Sequence, residues 1–373
     1  MGAKMGRDIK IMCMYLPQFY TTSYNDEWWG EGYTDWVAVQ RATAYYKSHR
    51  QPRKPLGGNY YNLADESASV WKWQAELANR YGVYGFCIYH YWFGGRMVLE
   101  KPMEILLRHK EIPLRYSICW ANEEWAKSWY GNDRQVLISQ NYGKEKNWEE
   151  HFQYLLNFFR DERYIKIDNK PVVHIYKAHL IDCLKEMKAC WDALAVKNGF
   201  AGIYLIVGNT AGTIDEDNEA IDAYYNFEPN HVWGQKRNKV FVKLLWWKKG
   251  LLNKIGRLTG RTYFTGRRSL KRVYHLILSE KYHTKKRVYL GICPEYDDSP
   301  RRQYQGVVYD NASPAEFGNA LSKLIAKSKK MGSDMIYINA WNEWGETAAL
   351  EPDELHGYAY LEEIQKALKG AKE

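Results

Sequence analysis

Short runs rich in β-branched and aromatic residues recur along the chain. Between most of them lie stretches in which apolar residues return every three or four positions. Eight such runs predict strands: Lys10–Leu16, Val83–Tyr91, Arg115–Ala121, Pro171–Tyr176, Ile203–Gly208, Ala220–Phe227, Val288–Pro294 and Met335–Ala340. Several are almost continuously apolar, as strands covered on both faces must be. The helical period predicts helices over 66–80, 99–109, 147–160, 180–198, 314–329 and 355–369. The connection after the fifth strand is short and its helical signal is weak. Eight strands alternating with helices predict an α/β fold, a (β/α)8 TIM barrel forming one domain over residues 1–373. A doubly wound open sheet is the alternative. It more often places a glycine-rich turn after its first strand, where this chain has Pro17-Gln18-Phe19-Tyr20.

The polar residues fall at the C-terminal ends of these runs. The first ends in Tyr15-Leu16-Pro17-Gln18, the second in Tyr89-His90-Tyr91-Trp92, and the third in Trp120-Ala121-Asn122-Glu123-Glu124-Trp125. The sixth ends in Asn226-Phe227-Glu228-Pro229 and the seventh in Glu295-Tyr296-Asp297-Asp298-Ser299-Pro300-Arg301-Arg302. The eighth ends in Trp341-Asn342-Glu343-Trp344-Gly345-Glu346. A barrel gathers all these ends on one face, where the active sites of this fold lie. A purely structural barrel gains nothing from such convergence.

The chain contains 16 Trp and 31 Tyr against 11 Phe, and its aromatic content of 16% suits a wet cleft that uses apolar ring faces and polar tips together. Sugars are one ligand class bound in that way, although a large core also consumes aromatics. Residues 233–287, between the sixth and seventh strands, hold 17 Lys and Arg and one acidic residue, Glu280. That segment is therefore net +16 while the whole chain is +9, which leaves −7 on the remainder. Leu and Trp interleaved with Lys in "VFVKLLWWKKGLLNKIGRL" suit an amphipathic helix on an anionic membrane surface. A solvated basic excursion is the plainer reading, and no nucleic-acid-binding motif accompanies the charge. Cys13, Cys87, Cys119, Cys183, Cys190 and Cys293 form no C-x-x-C pair. Four of them sit in apolar runs, so buried thiols in a reducing compartment are expected. No signal-peptide-like or membrane-spanning run occurs in the sequence, and a cytoplasmic place, peripheral to the inner face of the membrane, is the expectation.

Glu343 and Glu346 are the centre of the candidate chemistry. Three residues of extended chain span up to ~10 Å, so either carboxyl spacing used in glycoside hydrolysis is within reach. Trp341 and Trp344 are placed to desolvate one carboxyl and raise its pKa, Gly345 to let the chain turn, and Asn342 to orient a sugar hydroxyl. The plainer alternative is that one glutamate pairs with Arg301 or Arg302 and ties two loops. Trp120, Asn122, Glu123, His90, Asp298, Arg301 and Arg302 are further binding candidates, with the arginines suited to clamping a carboxylate or phosphate. His174 and His179 lack partners at zinc spacing, and there is no P-loop and no G-x-S-x-G elbow, so no metal or cofactor is expected.

The stretches "MYLPQFY…NDEWWGEGYTDW", "YGFCIYHYWF", "CWANEEW", "CPEYDDSPRR" and "AWNEWGETAALEPD" together resemble the WbsX-type family of polysaccharide-locus enzymes, related to the family 99 endo-α-mannosidases. The resemblance covers roughly residues 10–368 and implies a (β/α)8 barrel acting on glycosidic bonds. It implies Glu343 as base on a sugar 2-hydroxyl and Glu346 as general acid, in a retaining reaction through a 1,2-anhydro sugar. It also implies a cleft lined by Tyr15, Gln18, His90, Trp120 and Asn122, and Trp36, Tyr91, Trp92, Trp341 and Asn342 are further substrate-binding candidates beside them. Tyr296 and Asp298 stand where the family has Trp or Phe before Asp-Asn. The expected function is hydrolysis of an internal α-linked bond in an oligosaccharide or polysaccharide. The alternatives are a glycosyltransferase or transglycosylase of surface polysaccharide, working on lipid-linked sugars at the cytoplasmic membrane, and a non-catalytic glycan-binding barrel.

Overall fold

The computed structural model describes residues 8–127, 135–210, 214–235, 238–259 and 264–372. Residues 236–237 and 260–263 of the basic segment lie outside the described residues. Eight strands form a closed parallel barrel: β1 Lys10–Tyr15, β2 Val83–Phe93, β3 Tyr116–Trp120, β4 Lys170–Ile175, β5 Tyr204–Asn209, β6 Ala223–Asn226, β7 Arg287–Ile292 and β8 Met335–Ile338. Each pairs with the next, and β8 returns to β1 with Ile11 opposite Ile336 and Cys13 opposite Ile338. All eight coincide with the apolar runs of the sequence. These strands are buried on both faces, so nearly every position had to be apolar.

The barrel interior is packed with rings and thiols rather than left open. His174 Nε2 and the Tyr337 hydroxyl lie 2.7 Å apart. Tyr225 packs on Tyr337 with ring centroids at 4.9 Å, and its hydroxyl approaches Cys119 Sγ. All six cysteines are free, and Cys13, Cys87, Cys119 and Cys293 are the buried four.

The helices are α1 Ser23–Trp29, α2 Asp35–Arg41, α3 Ser69–Tyr81, α4 Lys101–Arg108, α5 Glu145–Phe159, α6 Leu184–Lys197, α7 Asn230–Gly234, α8 Lys239–Thr259, α9 Leu270–Ser279, α10 Ser299–Arg302, α11 Pro314–Lys330 and α12 Ala359–Gly370. Between β5 and β6 the described residues form turns and no helix. The two short helices α1 and α2, in the loop after β1, carry no long apolar period, and the sequence pattern does not reveal them. Within the basic segment, α9 is an ordinary barrel helix that buries Leu270, Val273, Tyr274 and Ile277. The preceding α8 stands on the rim with much of its apolar surface exposed. No helix among the described residues is long and apolar enough to cross a membrane.

Candidate active site

The C-terminal ends of the strands surround a cleft of about 620 Å³, within the ~300–1,000 Å³ usual for ligand sites. Glu343 and Glu346 open into it together with Gln18, Tyr89, Tyr91, Glu123, Trp125, Tyr176, Lys177, Phe227, Trp233, Arg268, Tyr296, Asp298, Arg301, Arg302 and Tyr309.

Arg301 organises the floor. It sits on the one-turn helix α10, so it points inward while its neighbour Arg302 remains largely solvent-exposed. Its Nη2 donates to Glu343 Oε2 at 2.9 Å and its Nη1 to Glu346 Oε1 at 3.0 Å. Its Nε and Nη2 also donate to the two oxygens of Asp35, at 3.1 and 3.0 Å. Three carboxylates thus share one guanidinium, so full ionisation would leave excess negative charge in a buried place. Of the three, Glu343 is the carboxyl whose ionisation is resisted. Burial pushes its pKa up to about 8, with Glu346 and Asp35 adding to the rise and Arg301 opposing it. Asp298 is also pushed up, to about 6, mainly by burial and against the pull of Arg302 and the Val307 N–H. The Glu346 side chain is the more open of the pair, 25% exposed against 9% for Glu343.

Gly345 is required where it stands. A Cβ there would lie 2.4 Å from Arg301 Nε and 2.6 Å from Asp35 Oδ2, and its N–H donates to that same oxygen at 3.2 Å. The chain must pass against the buried Arg301–Asp35 pair to bring both glutamates onto the guanidinium.

The two tryptophans of the motif, expected to desolvate one of its carboxyls, have a different role. Trp341 and Trp344 are buried and do not line the cleft. Their indole N–H groups donate to the two oxygens of Glu351, at 3.0 and 2.6 Å. Gln74 Nε2 and the Tyr61 hydroxyl donate to the same carboxylate at 2.7 and 2.9 Å. Glu351 therefore clamps the motif from behind with four donors, and burial still lifts its pKa to about 7. Asn342 is likewise structural: its side chain pairs with the backbone N–H and carbonyl of Leu16, locking the end of β8 to the end of β1. The aromatic wall comes instead from Tyr89, Tyr91, Trp125, Tyr176, Phe227, Trp233, Tyr296 and Tyr309.

The other sequence-derived residues divide in the same way. Gln18, Tyr91, Glu123, Tyr296, Asp298, Arg301 and Arg302 are brought together at the cleft. Buried Gln18 Nε2 has no hydrogen-bond partner among the described residues. Tyr15 faces α3, where its hydroxyl donates to Gln74 at 2.9 Å. Trp36 donates to the Tyr61 carbonyl and packs between Phe19 and Trp344. His90 and Trp92 turn outward to His151 of α5, and burial drives the His90 pKa down to about 3. Trp120 donates to the Trp92 carbonyl, and Asn122 ties its loop to Lys177 through that residue's N–H and carbonyl. None of these six lines the cleft.

Asp35 and Glu351 were not singled out from sequence, although both lie within the quoted stretches "GYTDW" and "TAALEPD". Asp35 precedes a tryptophan and Glu351 a proline, and neither gives a further local signal. Among the described residues no group of three or more His, Cys, Asp or Glu is arranged to hold a metal ion.

Residues 11–364 match the family model described as glycosyltransferase WbsX. Two strains of Xanthomonas campestris pv. campestris carry uncharacterized proteins named WxcX that are 31% and 30% identical, each over 97% of this chain and 50% of the relative. The chain thus spans about half the length of these curated relatives. Among solved structures, the GH99 endo-alpha-mannosidase of Bacteroides thetaiotaomicron in complex with bis-tris-propane superposes with a TM-score of 0.60 at 14% identity, covering 97% of both chains. A glycoside hydrolase-like protein superposes with a TM-score of 0.57 at 13% identity, over 98% of this chain and 95% of the other. These two likenesses share the barrel fold found here. On the family match, the chain belongs to the WbsX glycosyltransferase family.

Proposed function

We propose that the protein cleaves an internal α-linked glycosidic bond with retention, using Glu343 and Glu346 as a proton-transferring pair. The observation that carries this reading is that both carboxyls open on one aromatic-walled cleft while one buried guanidinium holds them together. A tie between loops would not need the cleft, and a glycan-binding barrel would not need the pair.

The reaction starts with one proton on the pair. Glu343, ionised, takes the proton of the sugar 2-hydroxyl, and that oxygen closes on the anomeric carbon to form a 1,2-anhydro sugar. The bond to the leaving oxygen breaks, and Glu346 protonates that oxygen. In the second half Glu346 takes a proton from the incoming water, the water oxygen bonds the anomeric carbon as that carbon's bond to the position-2 oxygen breaks, and the position-2 oxygen regains its proton from Glu343. In the ligand-free site the proton rests on Glu343. A sugar hydroxyl donating to Glu343 favours its ionised form and shifts the proton toward Glu346. Once Glu343 has lost its proton in the ligand-free site, the site holds none to deliver to the leaving oxygen. We therefore expect kcat/KM to fall as pH rises through about 8. A profile that stays flat far into the alkaline range would contradict the one-proton pair.

Transfer is the second reading, favoured by the family's description as glycosyltransferases. It needs only a sugar hydroxyl in place of water in the second half, and a lipid-linked acceptor at the inner face of the membrane suits six free thiols in a reducing compartment. Incubation with oligosaccharide and lipid-linked polysaccharide, with products read by mass, separates the readings. Shorter products are expected for hydrolysis, and longer ones would replace it with transfer. Identical products from the native protein and Glu343→Gln would overturn both.

A further inference from the structure

The helix α8, Lys239–Thr259, runs for 21 residues, about 31 Å at 1.5 Å per residue. It carries six Lys and Arg and no acidic residue. Its inner side is anchored to the cleft rim. Phe241 stacks on Trp233 at 5.8 Å and lies under the Arg272 guanidinium at 3.9 Å, while Lys249 Nζ donates to the Gln305 carbonyl at 3.4 Å.

The outer side has the opposite polarity from what solvent demands. Val240, Leu244, Trp247, Leu251 and Leu258 are between 45% and 87% exposed. Their spacing of four, three, four and seven residues keeps them on one stripe of an α-helix. A stripe of that length turned away from the protein's own core is not a folding requirement. Exposed Lys243 and Lys254 border the stripe on one edge and Lys248 on the other, with exposed Trp246 beside them. An apolar stripe flanked by cations along a helix, with aromatic rings among them, matches the boundary between acyl chains and anionic headgroups. Six cations exclude passage through a bilayer, so the helix must lie in the plane of the surface.

We infer that α8 docks this protein on an anionic membrane surface, with Val240, Leu244, Trp247, Leu251 and Leu258 entering the headgroup–acyl boundary and the flanking lysines meeting lipid phosphates. The inference is independent of the reaction proposed above. Nucleic acid would engage the lysines but leave the apolar stripe in water, and it is not the occupant.

The test uses the full chain and co-sedimentation with vesicles of phosphatidylcholine alone or mixed with phosphatidylglycerol. Binding to the mixed vesicles is expected at least about tenfold above neutral vesicles, given roughly fivefold per basic residue near the surface, and it should weaken as salt is raised. Trp247→Glu with Leu251→Glu should abolish it, and Lys243→Glu with Lys254→Glu should lower it at least about tenfold. Because these side chains are exposed, thermal unfolding should be unchanged in both variants. Equal vesicle binding by the Trp247→Glu, Leu251→Glu variant would overturn the inference, as would no preference for anionic lipid. Lipid-free dimers dissociated by that variant would assign the face to a second copy instead, which also overturns it.

Discussion

Tyr89 and Tyr91 face the cleft, while His90 and Trp92, their neighbours on the same strand, face α5. A similar division recurs at other strand ends and in the loops that follow them. Gln18 points in and Tyr15 out; Glu123 points in and Asn122 away; Tyr296 and Asp298 point in. Glu295 and Asp297 turn instead to Arg53 and His49, each at 2.8 Å. A strand sends successive side chains to opposite faces, so a polar strand end delivers two populations. One touches what occupies the cleft. The other braces the loops that hold the first in place. Both are polar or aromatic, and composition alone does not separate them.

The bracing population should show itself in stability, and the cleft population in turnover. The largest effect on stability is expected at Arg301, which belongs to both. Arg301→Met leaves Asp35 and Glu343 buried without their cation, and loss of one partner of a buried ion pair costs about 3–5 kcal/mol. Urea unfolding midpoints check this. An undiminished midpoint would mean that the two buried carboxylates need no charge partner. Removing Glu343 should also change how stability depends on pH. Its folded-state pKa of about 8 lies above its ordinary value, so its stabilising contribution is complete at acidic pH and is lost as pH rises through about 8. The native protein should therefore lose ground to Glu343→Gln between mildly acidic and alkaline pH.

Glu351→Gln comes next. Each oxygen of Glu351 accepts an indole N–H, so an amide in either orientation sets its own donors against one tryptophan. A loss of about 1–3 kcal/mol is expected, the cost of one unsatisfied buried donor, together with slower turnover as the glutamate loop loosens. Unchanged thermal unfolding would show that the four-donor clamp does not hold the motif. The smallest and sharpest contrast is Trp120→Phe against Tyr91→Ala. Trp120→Phe removes a buried hydrogen bond worth about 1 kcal/mol and should leave KM unaltered. Tyr91→Ala should leave stability nearly unaltered and raise KM by several-fold, about 0.5–1.5 kcal/mol of ring contact. The reverse pattern in that pair would erase the division.

The barrel was legible because strands covered on both faces must be apolar throughout, and the eight runs could be read one by one. The rim was legible as a set of polar strand ends, and Glu343, Glu346 and Arg301 stand together as their positions suggested. Which side each rim residue takes was not legible, because register at the strand end decides it and one position reverses it. The tryptophans of the motif were read as desolvating a catalytic carboxyl for that reason. Their partner Glu351 and the third carboxylate Asp35 meet the motif only through tertiary contacts, Asp35 from a helix some 300 residues upstream in the chain. The basic segment shows the same limit. Its charge and amphipathic period are plain in the sequence, but only the fold shows that α9 packs on the barrel while the stripe of α8 faces outward.

The most direct measurement of the central claim is the rate of Glu346→Gln on aryl glycosides of graded leaving-group ability, set against the native protein. A general acid contributes ~10²–10⁴-fold when the leaving oxygen needs a proton and almost nothing when it does not. The expected result is a loss of at least ~10²-fold on poor leaving groups that shrinks steadily as the leaving group improves. A loss equal for every leaving group, or no loss at all, would contradict proton delivery from Glu346.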